Sequence, residues 1–152
     1  MAKNAKPGDI YEIETRKGKA YLQNLLRHSE WGALIRVSEQ LFNVRPSDLD
    51  MIFANGHRFL IFFPLNAAAK QGIVNYVGTT PVPSGLDTLP LFRSGNPDRE
   101  GKVKDWWLWN GEREWKIGGL SPEQRKLPIL EGVNDTALIY FIETDYRPEN
   151  VY

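Results

Sequence analysis

The sequence predicts an α+β domain: a strongly bent antiparallel β-sheet or partial barrel with two or three short helices. Runs of β-branched, aromatic and aliphatic residues recur at hairpin-length gaps, which are too short for parallel crossovers. Asn110-Gly111 stands between KDWWLW and EREWKI, and Asn-Gly between such runs is the strongest short-range hairpin signal. Helix-capping signals, by contrast, are brief.

Residues 1–7 carry small and basic side chains and are expected to fray. Asp9 to Thr15 alternates as a strand. Lys17-Gly18 makes a turn, Lys19 to Arg27 continues as a second strand, and after the polar His28 to Glu30 a third runs from Trp31 to Ser38. Together they predict an antiparallel meander. Ser47-Asp48-Leu49-Asp50 opens a short helical turn, with an extended Met51 to Phe53 as the alternative. Arg58 to Phe63 is nearly all apolar and stops at Pro64, so it reads as a strand buried on both faces. Asn66 is placed to cap a helix through Lys70, with Gly72 as its stop. Ile73 to Gly78 reads as a strand. The proline-rich stretch from Thr79 to Gly101 reads as a long loop, with an edge strand at Leu91 to Arg93. Ser121-Pro122-Glu123-Gln124 has the order of a capping box, and Leu127-Pro128 ends that turn. Asn134 or Asp135 caps a last helix through Glu143, although the β-branched and aromatic ALIYFI admits a strand instead. No repeat or linker interrupts the chain, so residues 1–152 read as a single domain.

A two-residue loop at Asn110-Gly111 would pair Trp109 with Glu112, Leu108 with Arg113, Trp107 with Glu114, Trp106 with Trp115 and Asp105 with Lys116. Alternation then puts Trp106, Leu108, Arg113 and Trp115 on one face, read as core. The other face holds Asp105, Trp107, Trp109, Glu112, Glu114 and Lys116. Tryptophans ringed by charge suit a half-exposed surface and belong to the residue types enriched at interface hot spots. Trp107, Trp109, Glu112 and Glu114 are therefore the candidate partner-binding residues. Cover by the C-terminal segment is the alternative for both tryptophans.

Composition removes many functions. The 152 residues hold 19 basic and 19 acidic side chains. Zero net charge argues against a dedicated nucleic-acid binder, which draws affinity from an excess of Lys and Arg. The charge is unevenly spread: residues 1–27 balance at +3 and residues 131–152 at −4. An acidic end can face a basic partner or simply be solvated. Absence of cysteine excludes disulfides, a thiolate nucleophile and Cys-ligated zinc. No apolar h-region predicts a secretory signal, and no run is long enough to span a bilayer. A cytoplasmic, membrane-free protein is the expectation.

The inventory for catalysis is thin. His28 and His57 lie at no metal-ligand spacing. No serine sits in GxSxG, and Pro83-Ser84-Gly85 reads as a turn. Neither GxxxxGK[ST] nor GxGxxG occurs. Glu12 and Glu14 share a strand face, which reads as solvated unless burial splits their pKa values. No enzymatic activity, cofactor or metal is expected.

The order of motifs adds a resemblance. KPGDIYEI (Lys6 to Ile13) is followed by GALIRV (Gly32 to Val37), RFLIFF (Arg58 to Phe63) and GIVNYVGTTPVP (Gly72 to Pro83). LPLF (Leu89 to Phe92) and WKIGGLSPE (Trp115 to Glu123) complete the series. From Gly8 to Pro148 the chain resembles the immunity protein 26 family of bacterial polymorphic-toxin systems. The resemblance implies a small cytoplasmic protein that binds and neutralises a cognate toxin domain in a stoichiometric complex, with no chemistry of its own. Zero net charge departs from the acidic character common in immunity proteins that block nucleases. A small-ligand or nucleic-acid-binding β-barrel, its tryptophans stacking on bases or sugars, is the alternative class.

Overall fold

The computed structural model describes residues 4–152. Among them eight strands form two antiparallel sheets, accompanied by two α-helices and three short 3₁₀ turns. The fold is α+β, as the strand spacing predicts.

The larger sheet is built from β1 (Asp9–Thr15), β2 (Gly18–His28), β3 (Gly32–Ser38), β4 (His57–Phe62) and β5 (Asn75–Thr79), in the order β4-β3-β2-β1-β5. The first three strands are the predicted meander. Register shifts interrupt the β1–β5, β2–β3 and β3–β4 ladders. Each such bulge bends its strand and increases the local twist. The smaller sheet runs β6 (Phe92–Ser94), β7 (Trp106–Trp109), β8 (Glu114–Gly118), in that order.

Both faces of the larger sheet are buried. Alternation sends Tyr11, Ile13, Leu22, Ile35, Val37, Phe59 and Ile61 to one face, where α1 (Leu65–Lys70) and α2 (Asp135–Glu143) add Leu65, Ala68, Leu138 and Ile142. The opposite face is covered at its two ends by different partners. Ile10 and Tyr21 meet Ile52, Phe42, Leu49 and Phe53 from the 41–53 segment. Leu25, Leu34, Leu60 and Phe62 meet Phe92 and Trp109 from the smaller sheet.

Residues 128–133 join the two sheets. Arg93 N–H donates to Pro128 O at 2.9 Å and Leu130 N–H to Arg93 O at 2.9 Å. Phe62 N–H donates to Glu131 O and Val133 N–H to Phe62 O, both at 3.1 Å. This segment thus pairs with β6 on one side and with β4 on the other.

Several local expectations are corrected. Helix α1 starts at Leu65 directly after Pro64, without a side-chain cap. Asn66 Oδ1 instead accepts from Ala5 N–H at 2.7 Å. That bond, with Lys6 N–H on Asp9 Oδ2 at 2.9 Å, gives Ala5 and Lys6 partners in the fold within the stretch expected to fray; residues 1–3 lie outside the described residues. Strand β5 begins at Asn75, because Ile73 N–H still returns to the end of α1 at Ala68 O, 2.9 Å. Trp31 lies in the β2–β3 turn rather than opening β3. The expected edge strand at Leu91 to Arg93 is present one residue later, as β6. Segment 135–143 is a helix, with Asn134 Oδ1 accepting from Ala137 N–H at 2.8 Å. Ser121 and Gln124 close a reciprocal capping box, but the helix after it is a single 3₁₀ turn at Gln124–Lys126. No helix among the described residues is long and apolar enough to cross a membrane.

Candidate functional site

The hairpin β7–β8 forms, with its turn one step later than expected. Asn110 N–H donates to Arg113 O at 3.1 Å. The Asn110 side chain competes for its own turn: Oδ1 accepts from Glu112 N–H at 3.0 Å and from Arg113 N–H at 2.9 Å. Gly111, at φ +103°, takes the first central position, where a type II′ turn wants glycine. Gly111 O also accepts from His28 Nε2 at 2.9 Å, which fixes the turn to the end of β2. Trp109 therefore opposes Glu114, Leu108 opposes Trp115 and Trp107 opposes Lys116. The register differs from the expected one by two residues, so the faces are unchanged.

Burial, however, divides the expected surface. Trp107 is 38 % exposed, and Glu112 and Glu114 are exposed. Trp109 is only 8 % exposed. Its ring packs against His28 (5.0 Å between centroids), Phe92 (5.6 Å), Trp31 (6.2 Å) and Phe62 (6.3 Å). The half-exposed placement expected for Trp109 is thus corrected. The larger sheet covers it, not the C-terminal segment, and its ring completes the core between the two sheets. Trp115, expected to anchor the core opposite Trp106, is instead 40 % exposed. Trp106 is buried opposite Gly118, past a register shift, and stacks with the Arg93 guanidinium at 4.6 Å.

Trp107 and Glu114 line a groove of about 520 Å³ with Lys104, Asp105, Lys116, and Ser94, Gly95 and Asn96 at and after the end of β6. Asp105 and Lys116 sit 3.6 Å apart, both half exposed, a pairing worth little in water. Ser94 reaches the groove because it pairs with Trp107 across β6–β7. The sequence pattern placed Asp105 and Lys116 beside Trp107. It offered no signal for Ser94, at the end of β6, or for Gly95, Asn96 and Lys104, which arrive from loops. An aromatic platform with rim charges of both signs can stack, pack and hydrogen-bond; it holds no buried titratable group to drive chemistry.

The remaining titratable candidates have structural work. Glu12, expected on a solvated face with Glu14, is buried. It accepts from Arg45 Nε (2.8 Å) and Nη2 (3.1 Å) and from Tyr21 O–H (2.7 Å). The Arg45 hydrogen bond holds its carboxyl below the usual glutamate range. Glu14 stays at the surface and pairs with Lys19. His28 Nδ1 accepts from Glu30 N–H at 3.1 Å, and His57 is half-buried, with burial pushing its pKa down. Among the described residues no three His, Asp or Glu side chains gather as metal ligands would.

No family model, curated protein or solved structure matches this chain.

Proposed function

We propose that the protein is an immunity-type inhibitor that binds a cognate toxin domain in a stoichiometric complex in the cytoplasm, through the outer face of the β6–β7–β8 sheet. The observation that carries this reading is Trp107. It is a large ring left 38 % exposed in mid-strand, on a sheet whose neighbouring residues Trp106, Leu108 and Trp109 are all buried. Lys104, Asp105, Glu114 and Lys116 surround it. An exposed indole inside a polar rim is the composition of an interface hot spot. The resemblance of its motif order to the immunity protein 26 family motivates the choice of a toxin domain as partner. The mixed rim adds no excess of positive charge for phosphates.

A small ligand stacked on Trp107 is the second reading, favoured by the groove volume, which lies within the range of ligand pockets. Trp107→Ala separates the two. Against a toxin domain, if one is encoded beside this gene, the variant should lose roughly 2 kcal/mol or more of affinity while its melting temperature is unchanged. Growth rescue on co-expression should fall in parallel. Unaltered affinity, or failure of the wild-type pair to co-purify, would exclude the interface. Saturable quenching of tryptophan fluorescence by a sugar or a short single strand, lost in the same variant, would favour the second reading.

A further inference from the structure

Arg36, in the middle of β3, is a buried cation with only 7 % of its surface reaching solvent. A guanidinium has five N–H donors and no acceptor. Its Nε donates to Gln23 Oε1 at 2.6 Å, and no other nitrogen of Arg36 bonds to a described residue.

The other buried arginines are provided for. Arg93 donates to four main-chain carbonyls. Arg58 donates to three and lies 3.5 Å from Asp145. Among the described residues Arg36 has neither a carboxylate nor a main-chain carbonyl as partner. It has the Phe53 ring, 3.9 Å from its Cζ. Burial pulls its pKa down to about 10, which still leaves it charged at neutral pH. A charge placed this deeply is costly unless its remaining donors reach water or an anion.

Its one hydrogen bond is itself tightly set. Gln23 Nε2 donates to Gly8 O (3.2 Å), Thr80 O (3.0 Å) and Thr80 Oγ1 (3.0 Å). Those acceptors fix which end of the amide is nitrogen, so Oε1 must face Arg36. With Nε taken, the Nη1–Nη2 end of the fork remains. Among the described residues Asn24 Oδ1 is the side-chain polar atom both sealed from solvent and unpartnered; the two Arg36 Nη groups are therefore not sealed. Two parallel N–H groups on one planar fork match a carboxylate or phosphate bidentately.

We propose that Arg36 is the receptor for a small oxyanion, held through Nη1 and Nη2, with Gln23 as the positioning residue. The site is on the larger sheet and does not depend on the Trp107 face. The test is thermal unfolding of the full chain at fixed ionic strength, with chloride replaced stepwise by acetate or by phosphate. Wild type should gain roughly 3–6 °C over the chloride control at ten times Kd, with one of the two oxyanions, and Arg36→Met should not. The oxyanion that gives the gain identifies carboxylate or phosphate chemistry. Equal melting in all three salts, or the same gain in Arg36→Met, overturns the proposal, since general salt effects act on both proteins alike. If Arg36→Met does not fold, the Arg36 side-chain N–H resonances of the wild type decide. A saturable shift on titration with the same anions supports the site, and no saturation overturns it.

Discussion

Arg93 has no exposed surface, and its guanidinium donates to the carbonyls of Arg125, Leu127, Pro148 and Val151. One side chain on β6 thus fixes both the 125–127 turn and the C-terminal segment. Arg93→Met would leave those carbonyls with weaker partners in a closed environment. It should cost about 3 kcal/mol or more in a denaturant titration. Glu12 makes a second prediction at this scale. Its folded pKa is held below the unfolded value, first by the Arg45 hydrogen bond. Its contribution is therefore present above the unfolded pKa and is lost as pH falls through the folded one. Glu131 works in the opposite sense: burial raises its pKa, so protonation favours the folded state as pH falls. Glu12→Gln should flatten the decline in melting temperature below about pH 4.5 and leave the Glu131 contribution in place. An unchanged acid limb would show that the pair with Arg45 contributes nothing. Neither residue was legible as structural. Strand alternation placed Glu12 and Glu14 together, but in the fold Tyr21 and Arg45 engage Glu12, which is buried, while Glu14 stays exposed.

Among the elements, the β7–β8 hairpin shows how far turn chemistry reaches. Asn-Gly correctly marked the reversal. The Asn110 side chain then took two backbone donors and moved the turn to Gly111-Glu112. Gly111 sits at φ +103°, and a Cβ there would stand 2.5 Å from Leu89 Cδ2. The flexible Leu89 can yield, but the backbone conformation cannot be relieved that way. Gly111→Ala should therefore destabilise by about 1–2 kcal/mol, read by urea unfolding. Asn134, one of two cap candidates for a segment that also admitted a strand, is the N-cap of α2, and it could be named at all because capping is local. Asn66 misled for the complementary reason. Its side chain had two uses available, and contact with Ala5, 61 positions away in sequence, decided between them.

For the whole molecule, Phe62 is the joint. Its backbone pairs with residues 131 and 133, while its ring stacks on Phe92 at 5.4 Å and meets Trp31, Trp109 and His28. Phe62→Ala should cost about 3–5 kcal/mol. Its tryptophan emission should shift red as Trp109 gains water, whereas a hole confined to one sheet would leave that emission unchanged.

The sequence by itself determined the α+β class, the meander and the hairpin, and left residues 135–143 open between the helix that formed and a strand. These readings rest on alternation, gap length or capping, which act between neighbours a few residues apart. The tertiary structure alone decided which tryptophans stay wet. Trp107 and Trp109 share a strand and a face, and no local rule separates them. What separates them is that the β2–β3 end and Phe62 reach Trp109 and stop short of Trp107. The same holds for Arg36, whose lack of a counter-charge exists only once the surrounding strands, and the acids they carry, have taken their places.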